Sequence, residues 1–169
     1  MSVNTLNAKG ETLFEKASFK SVVKSQRCLL LSTGFFEWKH KDAKTLIPYY
    51  IHLKNQPVFA FAGLFDVWSN PAEDRLYRTF SIITAEANPL MAEIHNTKKR
   101  MPLILDKAHE MNWIRPDLDQ PEIESMIKPF NENQMVAYTV SKLVSSKSQN
   151  SNVAEVLKPF EYVKDLFGN

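Results

Sequence analysis

Apolar positions along the chain fall mostly into short runs of strand length, separated by polar turns. Residues 27–33 enclose Cys28-Leu29-Leu30-Leu31, and residues 48–53 alternate so that Tyr49, Ile51 and Leu53 share a face. Residues 58–64 are rich in Phe and Ala, and residues 79–84 carry Phe80, Ile82 and Ile83. Residues 101–105 form a further run in which Pro102 demands an edge or entry position. Residues 138–143 close the series. Helical signals lie between these runs. Thr12 and Glu15 have capping-box spacing, with Phe14, Ala17 and Val22 at helix-like intervals and a possible break at Ser18. Asn88 precedes Pro89 as the N-cap of a short helix over 89–95. Asp106 is placed to cap 107–114, and 122–127 follows Asp119 and Pro121. Residues 145–152 are Ser/Asn-rich and read as a surface loop near the end of the domain. Strands outnumber helices. The expectation is one α+β domain spanning residues 1–169, built around a mixed, partly closed, barrel-like sheet.

Composition narrows the function classes. A chain of 169 residues with 44% hydrophobic and 24% charged residues can hold a core without disulfides or a structural metal. Net charge is only +2, so nucleic-acid binding would need a local basic cluster. The single cysteine, Cys28, excludes an intrachain disulfide framework and a Cys-rich zinc site. It lies in an apolar run and reads as an inert buried thiol. His40, His52 and His109 lack metal-ligand spacing and read as structural or surface residues. Four glycines form no phosphate-binding loop, so neither metal nor cofactor is expected. No apolar run has the length of a membrane span, and the first ten residues lack a signal-peptide core, so the expected location is the cytoplasm.

Three segments place polar residues in apolar surroundings. In Gly34-Phe35-Phe36-Glu37-Trp38, a carboxylate sits among three aromatics. Partial desolvation there would suit general acid–base work. The plainer alternative is that Glu37 faces outward while the aromatics face inward. The stretch from Ile94 to Pro102 joins His95 to the basic triplet Lys98-Lys99-Arg100. Histidine exchanges a proton near neutral pH and the triplet could hold phosphate; the alternative is a solvated loop. By composition alone, Leu6 to Thr12 is a polar turn before a helix.

Taken in order, these segments resemble the SRAP family of SOS response-associated peptidases, or abasic-site-processing proteins. Asn7-Ala8-Lys9-Gly10-Glu11-Thr12 is similar to the family's NAR-x-ET. Arg27-Cys28-Leu29 leading to Gly34-Phe35-Phe36-Glu37-Trp38 resembles RCL followed by GFYEW. Ala62-Gly63-Leu64, the run Ile82 to Asn88, His95 with Arg100 to Leu105, and Val140-Ser141 continue the match over most of the chain. The resemblance implies capture of abasic sites in single-stranded DNA. The family's nucleophile is an N-terminal cysteine, whose amine and thiol close a thiazolidine on the sugar aldehyde. By the same resemblance, Asn7 would orient that nucleophile, Glu37 would serve as general acid–base, and His95 would promote opening of the sugar ring. Lys9, where the family usually has Arg, and Arg100 would contact phosphates, with Lys98 and Lys99 adding charge in a loop longer than the family's usual one. The family's opening Cys-Gly-Arg and the section after it have no counterpart before Asn7. The expectation is therefore a site without its nucleophile: a crosslinking enzyme or thiol autopeptidase by family, or a non-covalent binder of single-stranded or damaged DNA. Uncovered sheet edges would favour self-association.

Overall fold

The computed structural model describes residues 6–162. Eight strands and four short helices alternate along the chain: β1 (Asn7–Lys9), α1 (Val22–Ser25), β2 (Arg27–Ser32), β3 (Phe35–His40), β4 (Leu46–Leu53), β5 (Phe59–Asn70), β6 (Arg75–Glu86), α2 (Pro89–Ile94), β7 (Arg100–Pro102), α3 (Lys107–Trp113), α4 (Gln120–Ser125) and β8 (Met135–Thr139). They form two sheets. The larger runs β1-β6-β5-β2, with β7 also on β6, and the smaller runs β3-β4-β8. β1 lies parallel to β6 while the other pairings are antiparallel, so the larger sheet is mixed as expected. The barrel-like expectation is corrected: the sheets are separate, and no closed barrel forms among the described residues.

Alternation along the larger sheet gives it two buried faces. Ala8, Ala62, Leu64, Ile83 and Ala85 face one core, completed by Leu13, Val23, Trp113 and Ile123 from the helical side. Phe59, Phe61 and Met101 face the other, which takes Ile51, Leu53 and Met135 from the smaller sheet and Met91 and Ile94 from α2. The order is helices, large sheet, small sheet.

Several expected boundaries move. The runs at 58–64 and 79–84 are the inner halves of a hairpin spanning Phe59–Asn70 and Arg75–Glu86. Its outer half was hidden because both faces there mix polar with apolar residues. β8 ends at Thr139, and Ser141 instead caps a 3-10 turn over Lys142–Ser145. The helix expected from Thr12 is also corrected. Gly10–Thr12 is a 3-10 turn with no side-chain cap on its first N–H groups, and the Thr12 hydroxyl donates back to the Lys9 carbonyl. Only Val22–Ser25 is α-helical in that stretch, because Leu13 and Val23 are both drawn into the core. The expected cap at Asn88 forms, accepting from the Met91 N–H at 2.8 Å, whereas Asp106 makes no side-chain cap; Asp119, which starts the next helix, makes a reciprocal capping box with Glu122.

Arg27 ties the helical layer to the sheet. It is 7% exposed and has no carboxylate partner among the described residues. Its guanidinium donates to the carbonyls of Val23 at 2.6 Å, Lys24 at 2.8 Å, Trp113 at 2.7 Å and Arg115. These are carbonyls left free at the ends of α1 and α3, where the helix dipole favours a cation. Burial lowers the Arg27 pKa, yet a guanidinium stays charged. Arg27→Met keeps the apolar stem but strips four carbonyls of their donor. It should lower stability by about 3–5 kcal/mol, read as a fall in urea midpoint at unchanged slope.

Candidate functional site

A cavity of about 320 Å³ opens between the two sheets, beside the end of α2. Asn7, Lys9, Glu37, Thr84, His95, Lys98, Arg100, Met101 and Pro102 line it. Six of the seven residues singled out in the sequence thus share one pocket. Lys99, the seventh, is not on its wall.

Strand registers explain the convergence. Asn7 pairs with Ile82 and Lys9 with Thr84, so Asn7 and Lys9 project on one face while Ala8 enters the core. The stretch expected to be a polar turn is therefore a strand. β7 lies on the opposite side of β6, with Thr84 opposite Pro102 and Glu86 opposite Arg100. Across the gap, β3 supplies Glu37. Phe35 and Glu37 lie on the same face of β3, and Phe35 packs edge-on against Phe61 in the inner core. Phe36, on the other face, packs against Tyr50. Glu37 thus faces inward, which decides against the alternative in which the aromatics face in and the carboxylate out. A Cβ at Gly34, which opens this strand, would sit on the Tyr50 ring, so only glycine fits there.

His95 follows the last turn of α2, and its Nδ1 makes two contacts. The Arg100 carbonyl lies 2.9 Å away and the Glu37 Oε2 lies 3.5 Å away. A carbonyl can only accept, so Nδ1 carries a hydrogen and Nε2 of the neutral ring is the proton acceptor. The other carboxylate oxygen of Glu37 accepts from the Trp38 N–H at 3.0 Å, which fixes its rotation. Both side chains are about one-fifth exposed: shielded, yet reachable. The loop that follows is pinned rather than loose. Asn96 donates to and accepts from the His40 backbone, and Lys99 takes a left-handed conformation with φ of 48° while its N–H returns to the His95 carbonyl. This geometry splits the basic triplet, leaving Lys98 on the pocket wall and Lys99 off it.

Arg100 is already engaged. It grips Glu11 through two hydrogen bonds of 2.8 and 2.9 Å, and its Nη2 also donates to the carbonyl and hydroxyl of Thr84. The expected role of Arg100 as a free phosphate ligand meets a fork occupied by a carboxylate. Sequence reasoning missed Glu11 and Thr84. Opposite charges at positions 11 and 100 were visible, but nothing local put them together. Cys28 lies on β2, away from the pocket wall, and burial pushes its thiol up. Among the described residues no cluster of His, Cys, Asp and Glu could hold a metal ion, and no helix is long and apolar enough to cross a membrane.

The family described as SOS response associated peptidase (SRAP) matches residues 1–147. This chain belongs to the SRAP family. It is 44% identical over 147 residues to the abasic site processing protein YoqW of Bacillus subtilis, which covers 86% of this chain and 64% of that protein. It is 28% identical over 170 residues to the abasic site processing protein HMCES of Xenopus tropicalis, covering 89% of this chain and 49% of that one. A solved protein from Bacteroides thetaiotaomicron superposes on 94% of this chain, and on 67% of its own length, with a TM-score of 0.88 at 39% identity. The chain thus spans less than two thirds of the Bacillus relative's length.

Within this SRAP chain the Glu11–Arg100 pair joins the segment before β2 to the segment after α2. Burial pushes the Glu11 carboxyl up. The hydrogen bonds from Arg100 and from its own backbone, with the charges of Arg100 and Lys9, outweigh that and hold it below the ordinary carboxylate range. A depressed folded-state pKa gives stability that is present above the unfolded value, about 4.3, and is lost as pH falls through the folded value. Urea midpoints measured from pH 7 to pH 3 should fall less steeply for Glu11→Gln than for the unmodified chain, with the curves converging at the acid end.

Proposed function

We propose that this chain carries the recognition and proton-transfer half of an abasic-site processing centre acting on single-stranded DNA. The observation that supports this most is the single pocket holding an inward carboxylate, a histidine with a fixed tautomer and two lysines, Lys9 and Lys98, in no ion pair among the described residues. The names of the relatives support the abasic site as the substrate.

The chemistry follows from the groups. An abasic sugar opens when its C1′ hydroxyl loses a proton and its ring oxygen gains one, which exposes the aldehyde. His95 Nε2 is the acceptor for the first proton, and Glu37 beside it stabilises the imidazolium that forms. When an amine adds to the aldehyde carbon, the nitrogen gives up a proton and the oxygen takes one, giving a carbinolamine. Glu37 shuttles these protons and then protonates the departing hydroxyl, which leaves as water. Asn7 offers an amide to orient the attacking amine. Lys9 and Lys98 neutralise the phosphates on either side of the sugar, and Lys99 adds field from outside the wall. Arg100 holds the wall through Glu11 and Thr84 in place of the phosphate contact that the resemblance implied.

The nucleophile of the covalent step lies outside this set of groups. The pocket wall carries no thiol, and Cys28 sits on a strand with its thiol pushed up by burial. On this reading the described residues bind the lesion non-covalently, and a covalent ring forms when an N-terminal amine–thiol reaches the pocket.

The test separates binding from chemistry. Anisotropy should show tighter binding to a single-stranded oligonucleotide with one abasic site than to its undamaged counterpart. Replacing Lys9 and Lys98 with Ala should weaken both and reduce the salt slope by about 1.4. A Cys-Gly-Arg peptide added in trans should form an adduct with the abasic strand faster in the presence of the chain. Glu37→Gln should cut that acceleration by about 100-fold with little change in binding. Equal affinity for both strands would overturn the recognition half; no acceleration by the chain would overturn the proton-transfer half.

A further inference from the structure

β3 is an edge strand: β4 lies on one side of it, and among the described residues no strand lies on the other. In an antiparallel ladder, successive residues alternately point both backbone groups at the partner strand and both away from it. The Lys41 N–H donates to the Thr45 carbonyl across the turn into β4, so His40 points its N–H and its carbonyl outward. Trp38, two positions back, does the same.

Side chains answer these outward groups. The Glu37 carboxylate takes the Trp38 N–H at 3.0 Å. The Asn96 carboxamide takes the His40 N–H at 3.1 Å and donates to the His40 carbonyl at 2.9 Å. A carboxamide carries a donor and an acceptor side by side, as a peptide group does. Asn96 therefore docks on the open edge of β3 as an added strand would, with one side chain.

Asn96 is also the residue after His95. His95 closes α2, with its N–H on the Met91 carbonyl at 2.7 Å, and its own carbonyl accepts from the Lys99 N–H at 2.9 Å. The imidazole thus belongs to the end of α2 and the carboxylate to β3, and Asn96 joins the two elements. Two other ties cross the same gap. Lys39 pairs with Glu93 at 2.7 Å, but Glu93 is 72% exposed, and such a pair contributes little. Phe35 packs on the core that holds Met91 and Ile94. Apolar packing is non-directional, so it joins the layers without fixing where the end of α2 lies along the strand.

The pair across the gap is sensitive to that placement. Glu37 Oε2 lies 3.5 Å from His95 Nδ1, at the outer limit of hydrogen bonding, while the Arg100 carbonyl lies nearer at 2.9 Å. A contact that long does not hold itself together. Its length follows from what holds β3 against the end of α2. Asn96 is not on the pocket wall, so it acts on the pocket only through its neighbours.

We infer that Asn96 is a positioning residue for the Glu37–His95 pair: its carboxamide grips the open edge of β3 at His40 and sets the separation across which carboxylate faces imidazole. The catalytic consequence rests on the proton-transfer reading above. The alignment does not, and the experiment measures the two apart.

The full chain is made with isotope-labelled histidine, and the NMR signal of His95 Nδ1 is followed. Glu37→Gln should move that signal, because the carboxylate faces the nitrogen. In an Asn96→Ala background the same replacement should move it about twofold less, or not at all. Asn96→Asp is the second variant. It keeps the size and the acceptor for the His40 N–H but sets a carboxylate against the His40 carbonyl, and should show the same loss. Slow amide exchange kept in β4 and β5 shows that the layers are intact. In the peptide-adduct assay, Asn96→Ala should cut the acceleration by about tenfold or more, with affinity for the abasic strand unchanged. An Nδ1 response as large in both Asn96 variants as in the unmodified chain would overturn the inference. So would loss of slow exchange throughout both variants, which would make Asn96 a general support of the fold, or a diminished response with undiminished acceleration. A diminished response where the unmodified chain gives no acceleration would uphold the alignment and sink the proton-transfer reading instead.

Discussion

The inner half of β6, from Ile82 to Glu86, is the constraint on which the rest of the arrangement depends. Ile83 and Ala85 are buried against the helical layer, so Thr84 is forced to the opposite side by the pleat alone. β1 and β7 flank this same stretch, and each must adopt the matching alternation. Asn7 and Lys9 then have nowhere to project but into the cavity, and Arg100 comes within reach of Thr84 and Glu11. A one-residue slip of β1 would exchange Ala8 for two polar side chains at a core position. The hydrophobic effect thus places polar groups that contribute nothing to it. Register here is also chemical aim.

The same logic decides what the sequence could and could not disclose about the fold. Runs with one buried face announced themselves: the alternation of Tyr49, Ile51 and Leu53 marked β4, and Asn88-Pro89 and Asp119 marked two helix starts. Segments whose order comes from distant contacts did not. Nothing near Arg27 says that its guanidinium will bind carbonyls at the ends of two helices, because two of those carbonyls belong to residues some 86 and 88 positions away. The Thr12 stretch carried a good local helix signal that lost to tertiary packing. Its sequence spacing suits a helix, but Leu13 and Val23 must both reach the core from a chain that turns between them.

At the site, the identities of the residues were legible and their relations were not. Motif order brought Asn7, Lys9, Glu37, His95, Lys98 and Arg100 forward. Local composition misassigned the environment of Glu37, because sequence neighbours in a strand face opposite ways. Phe36 and Trp38 flank it in the chain and leave it in space, while Phe35 two positions away shares its face. The basic triplet failed for a similar reason. Three consecutive cations cannot face one cavity when the backbone turns left-handed at the middle member of Lys98-Lys99-Arg100.

That division of labour among the cations bears on the chemistry. Arg100 is the one whose planar fork could grip a phosphate bidentately, and the structure commits that fork to Glu11 and Thr84. A half-buried, paired arginine fixes geometry; a lysine on a flexible stem supplies charge without fixing it. A sugar that must open, pass through a tetrahedral adduct and lose water changes shape around C1′ while its phosphates stay put. Rigid walls with compliant charges suit that sequence. The carboxylate and imidazole, locked by the Trp38 N–H and the Arg100 carbonyl, would hold the proposed proton path still. On the proposed reading, Lys9 and Lys98 keep their charge beside the phosphates while the sugar between them changes shape.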